Sequence, residues 1–130
     1  MALLPLLCVE TSATPIDRPE VQRVMKDGAA VTGERSLLLC YIPRGGDLAK
    51  HVEEVAKMIG YARKQHKPLV LYSPDSEMAT RTITLAFTMI RKDALRGLTV
   101  VCAIGKKNEN YIRPIIEATG AKLFVVSAEP

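Results

Sequence analysis

The chain has 130 residues, 48% of them hydrophobic and 25% charged, which supports one globular core and leaves too little length for two. Its 8 Gly and 8 Pro are scattered without a period, so collagen-like and low-complexity chains are excluded. Lys and Arg total 18 against 14 Asp and Glu, a net charge of +4; with no Trp and 5% aromatic residues, neither a concentrated nucleic-acid footprint nor a stacking platform is expected.

In chain order, the apolar run Leu3 to Val9 predicts a first strand. Thr11 to Arg35 is punctuated by Pro15, Pro19, Gly28 and Gly33, and only Glu20 to Lys26 is left for a helical turn or two. Ser36 to Tyr41 predicts a strand, Asp47 to Gln65 a helix and Pro68 to Tyr72 a strand. Ser76 to Arg91 then reads as helix, Leu98 to Ile104 as strand, Tyr111 to Thr119 as helix and Lys122 to Ser127 as strand. The end signals agree: Asp47, Asp75 or Ser76, and Asn108 or Asn110 can cap N-termini, and Gly120 sits where a helix stops. The alternation predicts one α/β domain over residues 1–130, with parallel pairing in the C-terminal two-thirds.

Cys8, Cys40 and Cys102 each lie inside an apolar run, the setting of buried free thiols in a reducing compartment. Met1 to Leu7 is apolar but lacks a basic start and is broken by Pro5, so it reads poorly as a secretory signal. No run approaches the roughly 20 apolar residues of a membrane span.

Candidate chemistry is thin. Gly45-Gly46-Asp47, with Arg44 beside it, follows a strand and precedes a helix, where exposed amides can hold a phosphate; its spacing fits neither dinucleotide fingerprint nor P-loop, and a tight turn is the plainer reading. His51 and His66 have no Cys or second His at ligand spacing, so no metal is expected. Ser12, Ser73 and Ser76 stand at loop positions without a nucleophile-elbow motif. Lys106-Lys107 before Asn108 reads as a wet loop or a phosphate contact.

The helix over Ser76 to Arg91 carries the informative pattern. Ala79, Ile83, Ala86, Phe87 and Ile90 make one broad apolar face for the sheet. Met78, Leu85 and Met89 form a second stripe within roughly 40° of one another, displaced by about a quarter turn, with Thr82 between them. The helix over Asp47 to Gln65 has its own stripe of Leu48, Val52, Val55, Ile59 and Ala62. Two such neighbours can form a groove in which adaptable Met side chains meet apolar ligands.

The run His66-Lys67-Pro68-Leu69-Val70-Leu71-Tyr72, an acidic turn ending in Asp75, and a helix rich in Ala, Thr and aliphatics resemble the apical domain of a group I, GroEL-type chaperonin. Upstream, Leu37-Leu38-Leu39-Cys40 and Asp47 to Lys57 are similar to the preceding strand and helix. Downstream, Leu98 to Ala103 and Ile115 to Leu123 resemble the next strand, the helix ending in Thr-Gly and the strand after it. The likeness covers Leu37 to Val126, about two-thirds of the chain, and Arg81 departs from it, standing where the family offers an aliphatic groove residue. It implies a swivelling β/β/α domain with a partly parallel sheet flanked by helices, which captures non-native polypeptide between two helices through Val52, Val55, Met78, Leu85, Ala86 and Met89.

The resemblance implies a divergent, non-catalytic module with no cofactor of its own, the ATP and Mg of a full-length chaperonin parent being bound elsewhere. Its partners would be unfolded polypeptide and a co-chaperonin, with no nucleic acid and no membrane, in a ring in the parent. The compartment would be bacterial cytoplasm or mitochondrion. The competing expectation is a small nucleotide- or phosphate-binding α/β protein that uses the turns at Ser12, Arg44-Gly45-Gly46, Ser73-Pro74-Asp75 and Gly105-Lys106 at the strand ends. A third is a subunit whose second apolar stripe is an oligomer contact.

Overall fold

A computed structural model of the chain describes Leu6–Leu7 and residues 18–127. Most of the first predicted strand, with Cys8 and Ser12, lies outside the described residues. In chain order the elements are β1 (Leu6–Leu7), α1 (Pro19–Thr32), β2 (Leu38–Tyr41), α2 (Leu48–Gln65), β3 (Leu69–Tyr72), α3 (Ser76–Thr88), β4 (Thr99–Ala103), α4 (Lys106–Ala118) and β5 (Lys122–Val126). The fold is α/β, as the alternation predicts. The five strands lie side by side in the order β1-β2-β3-β4-β5, and the sheet is parallel at every described pairing rather than in part.

The strands read as unbroken apolar runs because both faces of the sheet are covered. Registered rows alternate between the faces: Leu38, Leu69, Val100 and Leu123 stand level with one another and pack under α2, α3 and α4. The next row, Leu39, Val70 and Val101, packs against α1. α2 turns Val55, Met58, Ile59 and Ala62 to the sheet, α3 Ala79, Ile83, Ala86 and Phe87, and α4 Ile112 and Ile116. Among the described residues α1 alone covers the opposite face, packing on β3, β4 and β5.

α1 is 14 residues long, twice the helical stretch expected there. Gly28, which reads as a breaker in the sequence, sits fully inside the helix, where a Cβ would meet Val70, Leu37 and Val101 side chains at 3.5–3.6 Å. The helix stops instead at Gly33, whose φ of 73° ends it in the left-handed conformation. α4 starts at Lys106, one and a half turns before Tyr111, with Gly105 as its cap residue. Pro114 occupies the interior of this helix rather than its first turn.

The carboxyl caps expected of α2 and α3 are present. Asp47 accepts from the Ala49 amide at 3.1 Å, and one Asp75 oxygen accepts from the Glu77 and Met78 amides, both at 3.1 Å. α3 ends at Thr88, and the segment to Leu98 is pinned to the end of α4 by Asp93 N–H to Ala118 O, 3.1 Å, and Leu95 N–H to Thr119 O, 2.7 Å.

Candidate functional site

α3 lies between α2 and α4, touching both, so its outward arc is the middle of the helical face. The second apolar stripe divides there by depth. Leu85 is 44% exposed and Met89 70% exposed. Met78 and, on α2, Val52 are half-buried and packed on the core. Val55 and Ala86 are sealed in it. These two are therefore corrected from groove residues to core: each lies on the arc that meets the sheet, and neither is open to a ligand. Thr82, which falls between the Met residues of the stripe, is fully buried with its Oγ1 unpartnered. Arg81, one of the outward positions beside Leu85, is exposed.

Tyr61 on α2 and Tyr111 on α4 are the other exposed large apolar side chains of this layer. Leu85 and Met89 are thus the open members of the stripe, at the C-terminal end of α3, and Met78 and Val52, near the N-terminal ends of their helices, are its partly buried ones.

The turns of the competing expectation come together, as parallel strands require: Arg44 to Gly46, Ser73 to Asp75 and Gly105-Lys106 all follow the carboxyl ends of their strands. Their chemistry is spoken for at two of the three. The amides at the start of α2 and α3 that would hold a phosphate already donate to Asp47 and Asp75, and a carboxylate there repels a second anion. At Gly45-Gly46 the His51 ring fills the concavity, its Nε2 2.6 Å from the Gly45 carbonyl and 3.1 Å from where a Gly46 Cβ would stand. Ser73 is buried and its Oγ accepts from the Asp75 amide, a turn-forming role. On the α1 side of this edge, Tyr41 and Tyr72 meet with ring centroids 5.9 Å apart. The Tyr72 phenol is held above its ordinary value, first by burial and then by the Glu20 charge.

Family models, curated proteins and solved structures were compared with the chain, and none matches.

Cys40 and Cys102 are buried in the core, as their apolar surroundings predict. Burial pushes the Cys102 thiol up to about 12, so it is protonated and unreactive at neutral pH. His51 and His66 lie apart, the latter closing α2 with a φ of 56°. Among the described residues no three His, Cys, Asp or Glu side chains gather as a metal site, and no helix is long and apolar enough to cross a membrane.

One further concavity is built from residues to which the sequence assigns no role. It has a volume of about 690 Å³ and lies at the amino edge of the sheet, where α1 and α2 end and β3, β4 and β5 begin. A signal for it exists in the basic run Arg63-Lys64-Gln65-His66-Lys67, but its other cations, Arg96 and Lys122, are brought in only by the fold.

Proposed function

We propose that the chain is a non-catalytic polypeptide-binding module of chaperonin apical type that holds apolar segments of non-native proteins against the outer face of α3. The observation that carries this reading is the exposure of Leu85 on the central helix of the layer and of Met89 at its C-cap, where a folded monomer gains nothing from leaving them uncovered. Met is the side chain that adapts to varied apolar partners, and its place beside a Leu suits a surface without a single fixed ligand. The resemblance to chaperonin apical domains points to the same helix. At about 25 cal/mol per Å² of apolar area, a patch of a few side chains gives weak binding once ordering costs are subtracted. Weakness lets a client leave.

The test is the double substitution Leu85→Ser with Met89→Ser. Both side chains are exposed, so thermal stability should stay within about 0.5 kcal/mol of the parent, while capture of a chemically unfolded protein, read as suppression of its aggregation, should disappear. Suppression that survives the double substitution, or a parent chain that suppresses nothing, defeats the reading. Val55→Ser and Ala86→Ser are unsuitable probes because they strike the core.

A further inference from the structure

We propose that the cavity at the amino edge of the sheet binds a small, multiply phosphorylated molecule. Five cations line it, Arg63, Lys64, Lys67, Arg96 and Lys122, against one carboxylate, Glu34. The lining thus carries +4, the same as the whole chain, and the remaining 13 cations and 13 acids cancel. All of the protein's excess charge converges on one concavity.

Outside the cavity the ion pairs are Arg18 with Glu20, Arg23 with Asp27, Lys57 with Glu54, and Arg113 with both Glu109 and Glu117. In the cavity only Arg96 has such a partner, Asp93 at 3.6 Å. Among the described residues Arg63, Lys64, Lys67 and Lys122 have no carboxylate within ion-pair distance. Four unpaired like charges around one hollow repel one another, and an anion with several negative charges relieves that repulsion while a single charge relieves little of it.

Compensation of the helix dipole does not account for the cluster. It would suit Arg63 and Lys64 in the last turn of α2. The last turns of α1, α3 and α4 hold no basic residue, however, and Lys67, Arg96 and Lys122 stand outside helices. The cations follow the cavity rather than the helix ends.

The site is also held in place. The loop carrying His66 and Lys67 is tied back to α2 by His66 N–H to Arg63 O, 3.3 Å, and Lys67 N–H to Ala62 O, 3.2 Å. The Lys122 ammonium rests 5.1 Å from the centroid of the Phe124 ring, a cation–π contact that limits its wandering. Buried Pro68 and Leu98 give the hollow an apolar floor, and its volume is that of a small-molecule pocket. A polynucleotide would call for a basic stripe running on beyond the cavity, so tighter binding of an oligonucleotide is one outcome of the test.

The experiment measures the melting temperature and binding heat of the full chain with inorganic tripolyphosphate. Sodium sulfate at matched ionic strength and a short single-stranded oligonucleotide are run beside it. Tripolyphosphate should raise the melting temperature where sulfate does not. Lys67→Ala with Lys122→Ala should weaken binding about tenfold or more, and exposed Lys64→Glu, which leaves folding untouched, should weaken it likewise. Lys106→Ala with Lys107→Ala, at the opposite edge, should leave it unchanged. No shift, a shift matched by sulfate, or one that survives the cavity substitutions overturns the assignment. So does oligonucleotide binding tighter than tripolyphosphate.

Discussion

Gly120 passes so close to Asp93 that a methyl group on it would stand 3.1 Å from the Asp93 Cα, with the Arg96 amide at 3.2 Å. The contact locks the segment after α3 onto the end of α4, beside the Asp93 and Leu95 amides that donate to the α4 terminus. With a φ of 93°, Gly120 also occupies backbone space that side chains rarely enter. Gly120→Ala should therefore cost about 2–4 kcal/mol, from strain and backbone overlap together. Gly33→Ala, with a φ of 73° and nothing within 4 Å, should cost only about 1–2 kcal/mol. Urea midpoints compare the two, and equal losses would show that the close approach contributes nothing.

Gly28 poses the reverse case. It lies inside α1 with helical dihedrals, and a Cβ there would meet its neighbours at ordinary van der Waals distance. Gly28→Ala should stabilise the protein by up to about 1 kcal/mol, because Ala restricts the unfolded chain and fills the small space toward Val70. Gly28→Val should destabilise it, since its added methyl groups have no room between helix and sheet. A lower melting temperature for the Ala variant would mean that α1 must approach the sheet more closely than these distances imply.

The same two glycines show where the sequence could be read and where it could not. Gly120 follows a periodic helix and precedes an apolar run, so its place at a helix end is legible from neighbours along the chain. Gly28 looks like a breaker because the reason it is tolerated, the Leu37, Val70 and Val101 side chains packed around it, comes from residues far away in sequence. In the candidate site, helical phase separates Leu85 and Met89 from the sheet-facing arc and puts Ala86 on that arc; only the family resemblance assigns Val55 and Ala86 to a groove, and both are buried. The basic cavity draws on three strand starts and two helix ends, a convergence that periodicity along one element does not display.

Thr82 is the polar residue in the middle of that stripe, and its buried hydroxyl has no partner. An unsatisfied buried hydroxyl costs about 1–3 kcal/mol. Thr82→Val keeps the branched shape and removes the cost, so a gain of about 1 kcal/mol is expected in urea unfolding. A loss would indicate that the hydroxyl has a partner in solution, and that the α2–α3 contact has a polar element.

Cys102 sets the alkaline limit of the fold. Burial holds its thiol at about 12 against an ordinary 9.0, the nearby Arg113 charge offsetting little. The folded state therefore keeps a proton that the unfolded chain releases, so the contribution to stability is complete below pH 9 and is lost as the pH climbs toward 12. Three pKa units set an upper bound on the order of 4 kcal/mol for that loss. Tyr72, raised by burial and then by Glu20, adds a slope of the same sign at higher pH. Urea midpoints taken at about pH 8 and about pH 10.5 should fall steeply for the parent chain and less so for Cys102→Ala, which has no thiol to ionise. Native Cys102 should also resist iodoacetamide until the protein unfolds, because only the thiolate attacks. Parallel alkaline losses in the two proteins, or ready alkylation of the folded chain, would show that this thiol is reached by water.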